Sequence, residues 1–218
     1  MKKFVVIGLG NFGLNLSRTL MENGCEVLGI DSDRETVQRA KDTVTHAVIG
    51  NATNRSVLQS LPIKDFDGAV VSIGQELAAS ILISLYLKEI GIKRIVVRAI
   101  SEDHEKILRM QGVSDIIFPE RDMAMRFGTI LARRNVIDYL PLTGDYVIMD
   151  VTPPKSFIGK TIRELQIGSR FSCQILGIRY TGEEGTKIAP LADTVIPADS
   201  VMIMLGRESD IDRIQREG

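Results

Sequence analysis

The sequence predicts an α/β fold: a Rossmann-like, doubly wound parallel sheet followed by a second, smaller α+β domain. Three observations predict it. Gly8, Gly10 and Gly13 form a G-x-G-x-x-G signature directly after a β-branched run and at the start of a helical pattern. Six strand-like segments then alternate with helical ones, the pattern of a parallel sheet with crossover helices. From Asp145 onward the texture changes to short strands and small helices parted by proline and glycine turns.

Taken in order, Lys3–Ile7 reads as the first strand, Asn11–Glu22 as a helix and Glu26–Ile30 as the second strand, ending on the acid Asp31. Arg34–Lys41 is a short helix and Thr45–Ile49 a third strand; Gly50–Thr53 follows, then a short helix at Val57–Leu61. Ala69–Ile73 is a fourth, apolar strand ending at Gly74. Residues 76–90 carry Leu77, Ile81, Leu85 and Ile90 at helical spacing, with Gly91 as the stop. Arg94–Arg98 is a strand, Glu102–Met110 a helix and Asp115–Phe118 the sixth strand. Pro119 opens a helix with Glu120 and Asp122 in its first turn, where acids suit the helix dipole. Met123, Phe127, Ile130 and Leu131 form an apolar stripe along it, fit for local packing or for a partner subunit. The region 135–142 reads as a linker. Beyond it, Tyr146–Val151, Gln174–Tyr180, Thr194–Ile196 and Val201–Leu205 read as strands, and Lys160–Leu165 and Ser209–Arg216 as helices. Pro153-Pro154, Gly182–Gly185 and 197–199 are turns.

The chemistry of the first unit follows from its loop. Gly8 permits a tight turn, Gly10 lets the backbone approach a phosphate, and Gly13 lets the helix lie close on the strand. The first amides of the helix then face an anion favoured by the helix dipole. Asp31 stands 21 residues after Gly10, close to the spacing at which an acid takes a ribose 2′-hydroxyl. Because ligands of such sheets sit at the carboxyl ends of the strands, the rim comprises Gly8–Gly13, Asp31–Asp33, Asn51–Thr53, Ser72–Gly74 and Arg98–Ala99.

Composition sets limits. A net charge of −1 gives no electrostatic case for nucleic acid or an anionic membrane, and no run approaches the ~18 apolar residues of a membrane span. Cys25 and Cys173 read as two buried, reduced thiols of a cytosolic protein. The main rival reading is a small NAD-dependent oxidoreductase, which needs a proton donor poised beside the nicotinamide. The two histidines, His46 and His104, both read as solvated surface residues, and no acid–base constellation stands out. A helix-turn-helix with a basic face, the mark of a transcription factor, is not visible either.

GLGNFG at 8–13, GIDSD at 29–33, GNAT at 50–53, VSIG at 71–74 and VRA at 97–99 stand in an order more specific than any one of them. With FPERDMA at 118–124 and the stretch 192–206, they make the chain resemble the RCK/KTN (TrkA-type) family, cytosolic regulatory subunits of Ktr/Trk potassium transport systems. The resemblance implies three parts: a nucleotide-binding RCK-N domain at 1–118, a crossover or dimerisation helix and linker at 119–142, and an RCK-C domain at 143–218. It implies a cytoplasmic homodimer that builds a ring, commonly octameric, held at the inner face of the membrane beneath a potassium channel or transporter. Adenine nucleotide in the cleft would reshape that ring and gate the pore, with no catalysis and no nucleic acid.

Residue by residue, the resemblance places Gly8, Gly10 and Gly13, with Asn11 and Phe12 between them, at the phosphates, and Asp31, Ser32 and Asp33 at the ribose. Asp33 reads equally as a helix cap. Asn51, Ala52 and Thr53 match the adenine-side loop, with Thr53 as an N-cap the alternative. Ser72, Ile73 and Gly74 line the cleft floor or simply end a strand, and Arg98 reaches phosphate or a surface salt bridge. Glu120 matches a position that coordinates a divalent cation at the dimer interface, or is an acid facing its helix dipole. Relatives that sense nucleoside triphosphates often carry a base inside the glycine loop. Asn11 stands there instead, so ADP, AMP and NAD(H) compete with ATP as the ligand. No arginine follows Asp31 directly to accept a 2′-phosphate, which favours NAD(H) over NADP(H). The C-terminal lobe of some family members binds cyclic di-AMP; no residue here is matched to that site.

Overall fold

The computed structural model describes residues 1–74, 76–133, 135–180 and 185–217. The chain divides into two compact units, Met1–Pro119 and Glu120–Gly218.

In the first unit the elements run β1 (Lys3–Ile7), α1 (Asn11–Glu22), β2 (Glu26–Asp31), α2 (Arg34–Ala40), β3 (His46–Ile49), α3 (Arg55–Gln59), β4 (Gly68–Val71), α4 (Leu77–Ile90), β5 (Ile95–Arg98), α5 (Glu102–Met110) and β6 (Asp115–Ile117). All six strands pair in parallel, in the order β3-β2-β1-β4-β5-β6. Successive side chains of a strand point to opposite faces, and the core divides accordingly. Val5 and Ile7 join Ile83, Leu87 and Leu108 of α4 and α5 on one face. Val6 and Val70 join Val37 and Ala40 of α2 on the other, with Leu14, Leu16 and Leu20 of α1 at its margin. The strand order reverses between β1 and β4, the switch point at which such sheets open a crevice.

In the second unit, α6 (Pro119–Ala132) precedes β7 (Val136–Pro141), β8 (Tyr146–Val151), α7 (Ile162–Leu165), α8 (Ile167–Phe171), β9 (Gln174–Tyr180), β10 (Thr186–Ile188), β11 (Ser200–Arg207) and α9 (Glu208–Gln215). The sheet is antiparallel in the order β10-β9-β11-β8-β7, and Met149, Ile178, Met202 and Met204 pack with Leu165, Phe171, Ile211 and Ile214. Arg126 of α6 forks onto Asp138 of β7 at 2.6 and 2.7 Å, and Ile130 packs against the core. Arg133 pairs with Glu208. On the adjoining stripe of the helix Met123, Phe127 and Leu131 are exposed.

Several expectations need correction. Val136–Pro141, placed in a linker, is a strand paired antiparallel with β8. Thr194–Ile196, expected as a strand, makes a single bridge from Val195 to Thr161. Its backbone bonds go to the 159–162 turn, and the β-branched run serves to bury Ile196. Cys25 is half-buried rather than buried, whereas Cys173 is buried and its thiol is pushed up to about 11 by that burial. The turn expected at Gly182–Gly185 lies, apart from Gly185, outside the described residues.

Candidate functional site

A cleft of about 490 Å³ opens at the carboxyl ends of the first unit's strands, within the size range of ligand pockets. Its wall at β1 is the glycine loop. Gly8 adopts φ +92°, a conformation that side chains rarely take, and a Cβ there would meet the Ser72 carbonyl group at 3.0 Å. Gly13 lets α1 lie against the loop: a Cβ on it would fall 1.9 Å from the Gly8 carbonyl oxygen. Gly10 differs. It is the N-cap of α1 with no side chain to cap it, and a Cβ on it meets nothing within 4 Å. The protein's own packing therefore demands glycine at 8 and 13, and leaves the space over 10 for a ligand. The first-turn amides of α1 have no intrahelical acceptor and no side-chain cap, which suits an anion.

Asp31, at the end of β2, accepts a hydrogen bond from Leu9 N–H at 2.7 Å through one oxygen and from Asp33 N–H at 2.9 Å through the other. It braces the glycine loop, and each oxygen keeps a lone pair for a ribose hydroxyl. Next to it, Asn51 Oδ1 accepts from both Thr53 N–H at 2.9 Å and Thr53 Oγ1 at 2.7 Å, fixing the loop after β3. On the other side of β1, Ser72 is 5% exposed and its Oγ has no hydrogen-bond partner among the described residues. A buried hydroxyl left unpaired costs free energy, and this one lines the cleft. Arg98, at the end of β5, holds its guanidinium 6.0 Å from the Phe12 ring centroid, and a Cβ on Gly74 would strike it at 2.8 Å. These features fit a nucleotide with its phosphate over Gly10 and its ribose on Asp31.

The cleft gathers Gly8, Gly10, Asp31, Ser32, Asn51, Ala52, Thr53, Ser72, Ile73, Gly74 and Arg98 in its lining. Asn11, Phe12, Gly13 and Asp33 lie outside the lining. Gly13 acts through packing, and Asp33 caps α2 by accepting from Thr36 N–H at 2.9 Å. The cap of α3 is Asn54, one residue past Thr53. Ile7, Ile30, Gly50, Glu76 and Ala79 also line the cleft. Gly50 belongs to the GNAT stretch, and Glu76 follows the β4 rim at the helix start, where the carboxyl-end rule extended by two residues reaches it. Glu120 is exposed in the first turn of α6, and among the described residues no group of three or more His, Cys, Asp or Glu is placed to hold a metal. Neither histidine lines the cleft. His46 is exposed at the start of β3. His104, expected at the surface, is fully buried because it shares the inward face of α5 with Leu108. Its Nδ1 accepts from Ile100 N–H at 3.3 Å, and burial lowers its pKa.

Fold and cleft together define a dinucleotide-type nucleotide-binding module followed by a small α+β domain. Residues 4–119 match the TrkA-N domain and residues 146–217 the TrkA-C domain. The chain belongs to this TrkA-N/TrkA-C family, the RCK architecture of potassium transport systems. It is 38% identical to Ktr system potassium uptake protein C of Bacillus subtilis, over 99% of this chain and 96% of that one. Ktr system potassium uptake protein A of the same organism is 36% identical over 100% of this chain and 97% of its own. Among solved structures, the GsuK RCK domain superposes with a TM-score of 0.68 at 18% identity, over 99% of this chain. The chain spans 47% of that structure's length. A structure of the GsuK channel bound to NAD has the same TM-score at 17% identity, covering 98% of this chain and 39% of the other.

Proposed function

We propose that the chain is the nucleotide-binding regulatory subunit of a membrane potassium uptake system and controls the pore through the shape of a ring of copies. The cleft at the strand-order reversal carries this reading, with its open Gly10, uncapped α1 and unpartnered Ser72 hydroxyl, in a chain similar along its whole length to potassium uptake proteins. The ligand is an adenine nucleotide: ATP, ADP, AMP or NAD(H). Asp31 takes the ribose, Gly8–Gly13 the phosphates and Asn51–Thr53 the base. Ser72, Ile73 and Gly74 form the floor, and Arg98 stands by the phosphates.

The protein is a regulator and not an enzyme. The titratable side chains on the cleft wall are Asp31, Glu76 and Arg98; none is the His, Lys or Tyr that hydride chemistry would use as a proton donor. Copies dimerise through the exposed Met123, Phe127 and Leu131 of α6 and assemble further into a ring of eight. A divalent cation at Glu120 would be shared between copies and nucleotide oxygens, since among the described residues of one chain no three His, Cys, Asp or Glu side chains gather there. The ring is placed at the cytoplasmic side of the membrane by its membrane partner, as the likeness to potassium uptake proteins suggests; no described helix is long and apolar enough to cross a membrane.

Calorimetry with ATP, ADP, AMP, NADH and NADPH tests the reading. Adenine nucleotides should bind and NADH should bind more tightly than NADPH, because the Asp31 carboxylate stands where a 2′-phosphate would sit. Preference for NADPH would remove Asp31 from the ribose; no binding by any of the five would remove the nucleotide.

A further inference from the structure

Glu76 is out of place in a cleft shaped for an anion. It is the N-cap of the fourteen-residue α4, yet its side chain makes no capping bond. Its backbone carbonyl accepts from Ser80 N–H at 3.0 Å, but its carboxylate forms no hydrogen bond or ion pair with any described residue and stands exposed on the cleft wall. Among the described residues the carboxylate is thus committed to no partner.

The sheet order gives the two ends different work. The adenosine end lies at β2 and β3, with Asp31 and Asn51, and the glycine loop follows β1. Glu76 lies beyond the loop, past the end of β4. Neighbouring strands are about 4.8 Å apart, so the cleft from β3 to β4 crosses three spacings, or roughly 14 Å. A mononucleotide occupies the first half of such a crevice, and a dinucleotide extends into the second. Arg98 sits against Phe12 in the first turn of α1, which places its charge on the phosphate side. What lies past the phosphates meets Glu76.

We propose that Glu76 is a specificity-determining residue that selects for positive charge on the distal group of a dinucleotide, and so for the oxidised, pyridinium form of the nicotinamide over the neutral reduced ring. This rests on the adenine-nucleotide reading of the cleft. A bound metal is the weaker candidate for that charge, because no cluster of three metal-ligating side chains surrounds Glu76 among the described residues.

The test is the affinity of the full-length protein for NAD⁺, NADH, ADP-ribose and AMP, in chelator and with added magnesium, for wild type, Glu76→Gln and Glu76→Asp. NAD⁺ should bind about five-fold more tightly than NADH, the effect of two opposite unit charges close together in largely aqueous surroundings. Glu76→Gln should bring the ratio to about one and Glu76→Asp should keep a preference for NAD⁺. AMP, which stops short of Glu76, should bind all three proteins equally. A ratio unchanged in Glu76→Gln overturns the proposal, as does an equal loss for AMP, which would make Glu76 structural. A Glu76 effect that appears only with magnesium would assign the carboxylate to a cation and also overturn it. AMP binding by the wild type separates this outcome from failure of the nucleotide reading, in which AMP would not bind at all.

Discussion

An ideal Cβ on Gly13 falls 1.9 Å from the Gly8 carbonyl oxygen, while one on Gly10 meets nothing within 4 Å. The same substitution should therefore have opposite effects at the two positions. Gly13→Ala forces backbone apart from backbone and should cost about 2 kcal/mol of stability, in the range of overpacked cores. Gly10→Ala adopts its native φ of −64° without strain, so the melting temperature should hold. Its methyl group would nevertheless enter the space assigned to the phosphate in the proposed binding mode and should weaken nucleotide binding roughly ten-fold, about 1.4 kcal/mol. Thermal unfolding and calorimetry on both variants check this. Equal melting temperatures for Gly13→Ala and wild type, or unchanged affinity in Gly10→Ala, would contradict the assignment of packing to one glycine and ligand to the other. The glycine spacing and Asp31 were legible in the sequence because they act within one βαβ unit. The Ser72 backbone beneath Gly8 and the bond from Leu9 to Asp31 were not, since each joins residues brought together only by the sheet.

Helices α4 and α5 meet along a polar seam that runs from the buried Ser84 to the exposed Lys88. Ser84 Oγ lies 2.9 Å from Gln111 Oε1, and Lys88 Nζ donates to the Gln111 carbonyl at 2.5 Å. In the same helix α5, His104 is buried with its Nε2 unpartnered. Its pKa is lowered from 6.5 by burial, so the unfolded chain takes up this proton before the folded one does. The stability His104 contributes is complete above about pH 6.5 and falls as the pH drops from there towards the folded-state value. His104→Asn keeps an acceptor for Ile100 N–H and does not titrate. Between about pH 7.5 and 5.5 the wild type should lose more melting temperature than this variant, and parallel curves would show that His104 carries no such linkage. From sequence, Glu102, Asp103 and Glu105 around His104 suggest a solvated turn; only the period through Leu108 marks the buried face. The strand β7 was hidden for a related reason. It is an edge strand ending on Pro141, mostly half-exposed, so it lacks the apolar alternation of the inner strands. Where burial was continuous, as throughout β4 and over Val5–Ile7 of β1, the element stood out.

For the whole molecule, the order of motifs along 218 residues was enough to read the family, but not which nucleotide the cleft takes: Glu76, the residue proposed to discriminate, reaches the wall only through the fold. The energetics of a ring soften that demand. Moving a two-state equilibrium from 1:99 to 99:1 takes about 5.5 kcal/mol of differential binding. Divided among eight copies, the number the resemblance implies, each site supplies only about 0.7 kcal/mol. One extra charge-assisted hydrogen bond, or a cation shared through Glu120, is large enough on that scale. Small differences in affinity between nucleotides would then switch the assembly, even though Asn11 offers no charge to a terminal phosphate. Solution scattering on the wild type with ATP and Mg²⁺, ADP or AMP should give profiles that differ with the nucleotide. Phe127→Asp, which places a charge on the exposed apolar face of α6, should break the assembly and abolish the differences. Glu120→Gln should leave the assembly intact and remove the part of the response that depends on Mg²⁺. Identical profiles in every nucleotide state would refute nucleotide control of the ring. A response that survives Glu120→Gln unchanged would keep that control but take the cation at Glu120 out of it, leaving the glycine loop, Asp31 and the floor at Ser72 to carry the difference between ligands.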